Sequence, residues 1–371
     1  MSAPLILLAA GGTGGHVFPA EALADALIAR GRRLLLVTDH ASRSYGGTLG
    51  KLETHALGLR RMGDGRVSRL LGLASVAAAV PRARRLIDRL EPTIVVGFGG
   101  YPSVPTLFAA ARAGVATLIH EQNAVLGRAN RLLAGRVSRV ATSFTHVARL
   151  PTACAARVVG NPVRPQIRAM RGAEYAPSAD GQRILLLVTG GSQGARVFTD
   201  VVPAAMARLD EAARSRLRVV HQARPEDVQR AKAAYVAAGI DAEVEPFFND
   251  IAQRLGRAHL VICRAGASTC AEIACVGRPA LFVPYPFAMD DHQTANARAF
   301  AEAGGGWVLG QASFTAGAVA ERLQSWLSAP TPLIAAAHAA HALGRPEAAE
   351  RLADEVESLM PANGNRLENA A

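Results

Sequence analysis

The chain has 371 residues, 50% hydrophobic and 19% charged, which is enough apolar side chain for real cores, excludes a disordered chain and sets two domains as the default. Its 35 glycines and 20 prolines follow no three-residue period, so a collagen-like structure is excluded as well. The net charge of +11 is one-sided: residues 1–160 carry 20 basic and 8 acidic side chains against 21 and 22 in residues 161–371, which points the first half alone towards an anionic surface.

In chain order, residues 4–10 are apolar, lack a basic start and run into glycines. They read as a buried strand and not as a signal peptide. No window of about 20 uncharged apolar residues suggests a membrane span. Further strands are predicted at 34–38, 94–98, 117–120, 139–142 and 157–159, with helices at 19–30 and 105–113. A polar stretch at 171–182 suits a linker. The pattern then restarts with strands at 183–188, 217–221, 242–245, 260–263 and 280–283. A helix is expected over 343–359, followed by a disordered tail. Strand and helix in alternation predict an α/β fold with parallel sheets and right-handed crossovers. The glycine turn at 10–18 is echoed at 189–198, each time between an apolar strand and a helix. This similarity predicts two related domains of nucleotide-binding type.

The turn Gly11-Gly12-Thr13-Gly14-Gly15-His16 suits a phosphate or pyrophosphate, because glycines allow close backbone approach and a helix N-terminus presents unpaired N–H groups. It is not the dinucleotide fingerprint, since Val17 stands where the third small residue belongs. Asp39, at the end of the second predicted strand, keeps an NAD(P) oxidoreductase open. His16 is the titratable side chain of that turn; it reads as a base or as a capping or packing histidine. Similar turns follow at 97–103, 190–194 and 266–269, the last leading into a helix with Glu272. Four polar residues, His120-Glu121-Gln122-Asn123, close another strand at the edge where α/β sheets bind ligands. Asp290-Asp291-His292-Gln293 and Asn296 read as a ligand site or as a solvated helix start. No acidic D-x-D pair or zincin-type histidine pair supports a metal, and Asp290-Asp291 can cap a helix instead. Cys154, Cys263, Cys270 and Cys275 are read as reduced structural thiols.

Residues 60–89 hold eight arginines and two acids around the apolar run 70–80. This fits a segment lying on an anionic membrane surface, with Arg69, Leu70, Leu71, Leu73, Val76, Arg82, Arg84 and Arg85 as its contacts. It fits equally a core helix with a solvated, charged end. Nucleic acid is disfavoured, with aromatics at 5% and no RNA-recognition pattern.

The segments Gly-Gly-Thr-Gly-Gly-His-Val-Phe-Pro (11–19), Gly-Gly-Tyr-Pro-Ser (99–103), His-Glu-Gln-Asn (120–123), Gly-Asn-Pro-Val-Arg (160–164), Gly-Gly-Ser-Gln-Gly-Ala (190–195), Arg-Ala-Gly-Ala-Ser-Thr with Glu272, and Asp-His-Gln-Thr-Ala-Asn (291–296) together resemble the MurG family. That is the family of UDP-N-acetylglucosamine–N-acetylmuramyl-(pentapeptide) pyrophosphoryl-undecaprenol N-acetylglucosamine transferases. The resemblance runs in order over roughly residues 5–310. It implies a GT-B fold, two Rossmann-like parallel-sheet domains facing a cleft. An acceptor and membrane domain would span 1–162 and a UDP-GlcNAc-binding domain 163–340. A helix over 341–360 would pack back towards the first domain, with a disordered tail at 361–371.

The resemblance further implies inverting transfer of GlcNAc to the 4-hydroxyl of an undecaprenyl-linked muramyl pentapeptide, with His16 as base. Thr13, Gly14, Gly15 and Asn123 would meet the donor, and Arg164 and Ser192 would bind it. Phe248 would flank the uracil, although the family usually carries an aliphatic residue there. Ala267, Ser268, Thr269, Cys270, Ala271 and Glu272 would wrap the uridine diphosphate, and Gln293 would contact the sugar. Gly99, Gly100, Tyr101 and Ser103 would face the acceptor pyrophosphate. No cofactor or essential metal is implied. The expected setting is the cytoplasmic face of the inner membrane, held peripherally, with cell-wall synthesis and division proteins as partners. A glycolipid glycosyltransferase, a UDP-GlcNAc epimerase and a non-catalytic membrane scaffold are the other readings.

Overall fold

The computed structural model describes residues 4–11, 14–39, 46–59, 65–176, 183–191 and 194–361. The chain forms two compact units: one runs to Pro162 and resumes at Glu347, the other spans Val163–Pro346.

In the first unit seven strands form one sheet: β1 Leu5–Ala9, β2 Arg33–Thr38, β3 Thr54–Ala56, β4 Ile94–Gly97, β5 Ala116–Glu121, β6 Arg139–Thr142 and β7 Ala156–Val158. Their order is β3-β2-β1-β4-β5-β6-β7, and every pairing is parallel. Helices cover both faces of a parallel sheet, so its central strands β1 and β4 are apolar and buried along their length and do not alternate. Side chains still point to opposite faces in turn. Ile6, Leu8, Leu34 and Leu36 join Leu23 and Leu27 of the helix Gly14–Ala29 in one core. Leu5, Leu7, Leu35 and Val37 join Ala83, Leu86 and Ile87 of the helix Arg66–Leu90 in the other.

The second unit repeats the plan with six strands: β8 Ile184–Thr189, β9 Leu217–Gln222, β10 Asp241–Glu245, β11 Leu260–Cys263, β12 Ala280–Phe282 and β13 Gly306–Val308. Their order is β10-β9-β8-β11-β12-β13, again all parallel. Leu186, Val188 and Ile262 pack on Phe198, Val319 and Trp326 on one face. Leu187, Val261 and Cys263 pack on Phe248, Ile273 and Phe300 on the other. Cys263, Cys270 and Cys275 are in no disulfide among the described residues and are buried members of that second core.

Strand order reverses direction between β1 and β4 and between β8 and β11. At such a switch point neighbouring crossovers diverge and leave a crevice at the carboxyl ends of the strands. Gly11, after β1, lies against the turn after β4: a Cβ on it would lie 2.8 Å from the Pro102 ring.

Three expectations change. The first helix starts at Gly14, not at residue 19, and Pro19 lies inside it as its sixth residue, so the helix forgoes the hydrogen bond that residue 19 would otherwise make to the Gly15 carbonyl. The strands β3 and β13 were not expected; each has three residues with no fully buried side chain, Thr-His-Ala and Gly-Trp-Val, and so no apolar run to mark it. The helix expected over 341–360 is two: Thr331–Leu343 ends before Gly344, and Ala348–Ser358 follows. Leu352, Ala353 and Val356 of the last helix complete the core of the first unit around Ile6 and Leu27. Its rim carries Arg30–Asp354 at 2.7 Å, Arg30–Glu357 at 2.8 Å and Arg32–Glu357 at 2.6 Å.

Candidate active site

In the first unit His16 occupies the third position of the helix Gly14–Ala29. Its ring rests on the backbone of Gly99 and Gly100, which have φ of +85° and +76°. A Cβ on Gly99 would lie 3.2 Å from His16 Cε1 and 3.3 Å from Nδ1, so glycine is required both for the turn and for the histidine. A Cβ on Gly14 would lie 2.9 Å from the Phe18 ring, which folds back over it, while Gly15 is exposed.

The polar run closing β5 forms one network. The Glu121 carboxylate, 1% exposed, accepts from Asn123 N at 2.9 Å, Asn123 Nδ2 at 3.3 Å, Gly127 N at 2.8 Å and Asn130 Nδ2 at 2.9 Å. It thereby sets the loop that carries Asn123. Gln122 Oε1 lies 3.3 Å from His16 Nδ1. His120 is fully buried, with Nε2 3.0 Å from Gly160 O. Burial, helped by the neighbouring His16, lowers its pKa to about 4, so the ring is neutral.

Two expected acceptor contacts are occupied otherwise. Ser103 is fully buried, its hydroxyl 3.0 Å from Ala9 O and 2.8 Å from Gly99 O; it ties the turn after β4 to β1 and has no surface for a ligand. Tyr101 packs partly against the core. Thr13 lies outside the described residues.

In the second unit Arg164 and Glu272 form an ion pair. Arg164 Nε donates to Glu272 Oε1 at 2.9 Å, with NH2 2.8 Å from the same oxygen. Burial raises the Glu272 pKa, and the guanidinium opposes that shift. The helix Ala267–Val276 has Gly266 as N-cap, so Ala267, Ser268 and Thr269 present its first-turn amides. Ser268 Oγ is buried with no hydrogen-bond partner among the described residues. Cys270 N already donates to Gly266 O at 2.9 Å. Its thiol is a core group, pushed up to about 12 by burial. The thiol offers no surface to a donor, so Cys270 could share in wrapping the diphosphate through its backbone alone. Ala271 is half-buried on the same helix.

Gln293 Oε1 accepts from Ala265 N at 3.2 Å and Tyr285 N at 2.9 Å. The carbonyl is thus committed to the backbone and the amide NH2 is the end left to face a ligand. Asp290 and Asp291, just before it, hold φ of +54° and +53°, a conformation that costs non-glycine residues about 1–3 kcal/mol each. Asp291 does not cap the helix His292–Glu302 through its side chain; its Oδ1 accepts from Thr294 Oγ1 at 2.7 Å. Phe248 is 5% exposed, with the Arg254 guanidinium 4.0 Å from its ring centroid. Its ring belongs to the core, so the position could flank a uracil through its backbone only. Ser192 lies outside the described residues. Among the described residues no group of three or more His, Cys, Asp or Glu could hold a metal ion.

On the helix Arg66–Leu90, Leu71 is 48% exposed, and Arg82, Arg84 and Arg85 are exposed. Val76 is half-buried and packs partly against the core. The side chains of Arg69, Leu70 and Leu73 lie outside the described residues. Among the described residues, no helix is long and apolar enough to cross a membrane.

Comparison with known proteins decides the family. Residues 6–142 match the glycosyltransferase family 28 N-terminal domain and residues 185–352 its C-terminal domain. The chain is 55% identical over 361 residues, 96% of this chain and 97% of the relative, to the UDP-N-acetylglucosamine–N-acetylmuramyl-(pentapeptide) pyrophosphoryl-undecaprenol N-acetylglucosamine transferase of Paramagnetospirillum magneticum. The chain belongs to the MurG family of glycosyltransferases. The enzyme of the same name from Rhodospirillum rubrum is 55% identical over 95% of this chain and 92% of its own. The crystal structure of Acinetobacter baumannii MurG superposes with a TM-score of 0.78 at 29% identity, covering 96% of this chain and 99% of that one. The two parallel-sheet units are those of a GT-B fold. Within this MurG-family site, the sequence marked the whole run His120-Glu121-Gln122-Asn123 as polar groups at a ligand-binding edge but gave only Asn123 a role, and it did not mark the more distant Asn130, whose burial at 2% exposed the sequence does not reveal.

Proposed function

We propose that the protein transfers GlcNAc from UDP-GlcNAc to the 4-hydroxyl of an undecaprenyl-pyrophosphoryl muramyl pentapeptide, forming the β-1,4-linked disaccharide lipid of peptidoglycan synthesis. The observation that carries this reading is 55% identity sustained over 96% of the chain to a transferase of that name. The same identity disfavours an epimerase or an oxidoreductase.

In this mechanism the acceptor hydroxyl attacks the anomeric carbon and the glycosidic bond to UDP breaks with inversion. His16, at the opening of a helix and braced by Gly99 and Gln122, takes the hydroxyl proton. Charge develops on the departing diphosphate. First-turn amides of the helices Arg196–Met206 and Ala267–Val276 offer stabilising donors that need no reorganisation. Arg164 adds a cation while holding Glu272 Oε1, which leaves Oε2 to accept from the ribose hydroxyls. Gln293 donates its amide to a sugar hydroxyl. Thr13, Gly14, Gly15 and Asn123 complete the donor side of this reading, and Gly99 and Gly100 the acceptor side.

The helix Arg66–Leu90 is assigned to an anionic membrane surface, with Leu71 entering it and Arg82, Arg84 and Arg85 pairing with headgroups. In this reading the enzyme works peripherally at the cytoplasmic face of the inner membrane, with cell-wall synthesis and division proteins as partners. The test is one assay with purified protein, radiolabelled UDP-GlcNAc and lipid-linked muramyl pentapeptide. Label appearing in the lipid fraction as a disaccharide is expected. Label converted to another UDP-sugar, or left unreacted, overturns the assignment.

A further inference from the structure

Gln122 is held in one orientation by groups that can only accept. Its Nε2 lies 3.1 Å from both Phe98 O and His120 O. A carbonyl oxygen cannot face two carbonyl oxygens, so the NH2 end points there and Oε1 points at His16 Nδ1, 3.3 Å away. The next link is fixed in the same way. His120 Nε2 is 3.0 Å from Gly160 O, an acceptor, so Nε2 carries the hydrogen. The ring is neutral at pH 7, its pKa lowered to about 4. Its Nδ1 therefore bears the lone pair, and that atom lies 3.1 Å from Gln122 Nε2. Each hydrogen bond in the series has one allowed direction.

We propose that Gln122, held by His120 and the Phe98 carbonyl, is a positioning residue that fixes His16 as the Nδ1–H tautomer and so places the basic lone pair on Nε2. The proposal rests on the reading of His16 as base. It generalises the rule that a base is oriented by a third group, with a neutral amide in place of a carboxylate. Gln122 Oε1 accepts from Nδ1–H before and after Nε2 takes a proton, so the bond persists through the transfer.

All three side chains belong to the first unit. Gln122 is 2% exposed, which shields the link from water and keeps it directional. Sequence alone shows polar residues at the end of β5; the direction of the relay comes from the two backbone carbonyls and from Gly160, none of which a motif reveals.

The test uses full-length protein with 15N-labelled histidine, the His16 signals being identified by their loss in His16→Ala. At a pH where the ring is neutral, the nitrogen shifts of wild-type His16 should read as Nδ1–H. An Nε2–H reading overturns the proposal, and this measurement needs no variant to fold other than the assignment control. Gln122→Met, close in size and without the acceptor, should mix the tautomers and lower kcat by 10- to 100-fold with donor KM within about twofold. The double variant His16→Ala/Gln122→Met should be no slower than His16→Ala. A further tenfold loss in the double variant would mean that Gln122 acts structurally, which also overturns the proposal. If His16→Ala retains turnover while the Nδ1–H signature stands, the base reading fails and the positioning does not.

Discussion

Glu272 is the residue on which donor recognition turns. Its carboxylate already accepts two N–H groups of Arg164 on Oε1, so a neutral substitute loses the ribose acceptor and leaves the half-buried guanidinium unneutralised. A hydrogen bond to a charged group contributes about 1.5–3 kcal/mol. Glu272→Gln should therefore raise donor KM by roughly tenfold to a hundredfold, read from initial rates at saturating acceptor; unchanged KM would remove the ribose from this carboxylate. His16 answers to a different readout. A positioned base contributes about 10²–10⁴-fold to rate. His16→Ala should lose turnover on that scale with donor affinity retained, and the acidic limb of the pH–rate profile should vanish. A persisting limb with less than about tenfold loss would assign the base elsewhere.

At the scale of elements, the helix Arg66–Leu90 presents two faces to two environments. Ala79, Ala83, Leu86 and Ile87 are in the core; Leu71, Ala74, Ala77 and Ala78 are exposed on the amino-terminal part, and Arg84 and Arg85 on the carboxyl-terminal part. Apolar groups outward at one end and cations at the other match the boundary between acyl chains and headgroups. Each arginine near an anionic bilayer contributes about 1 kcal/mol, falling with salt. Arg84 is partly neutralised by Asp88 at 2.8 Å, so its share is smaller. Reversing Arg82, Arg84 and Arg85 to Glu should release the protein from anionic vesicles in a sedimentation assay and spare UDP binding. Undiminished sedimentation would move the contact off this helix.

For the whole molecule, two buried histidines predict acid lability, one in each unit. Burial lowers both His120 and His221 to about 4, against about 6.5 when unfolded. The unfolded chain binds more protons between those values. Stability is therefore full above about pH 6.5 and is lost as pH falls towards 4, by at most roughly 3 kcal/mol per histidine. Denaturation midpoints should drop steeply from pH 7 to 4.5, and His221→Gln should flatten that slope; an equal slope in the variant would assign the lability to other groups. The proposed chemistry also has a whole-molecule signature. Helix amides and Arg164 supply the stabilisation assigned to the leaving group, so the rate should survive EDTA. A rate that collapses in EDTA and returns with magnesium would place a metal in the mechanism.

The two-domain α/β plan was legible from residues alone, because a doubly covered parallel strand must be apolar along its length and a glycine turn must follow it wherever a ligand or a helix comes close. Eleven of the thirteen strands among the described residues lie where such runs stand in the chain; β3 and β13 escaped because Thr-His-Ala and Gly-Trp-Val are edge strands without an apolar run. The motif at 120–123 was visible as polar groups at a strand end, but not which of them serve a ligand and which serve one another. That depends on partners far away in sequence: Gln122 to His16, His120 to Gly160, Glu121 to Asn130. Likewise Ser103, Cys270 and Phe248 have side chains whose types permit a functional role, and only packing shows them turned inward. Local sequence determines which backbone a segment prefers, since that preference is set by propensity and burial within a few residues. The direction of a buried hydrogen bond or the neutral state of His120 is set by what the folded chain brings against it, and only the tertiary structure decides that.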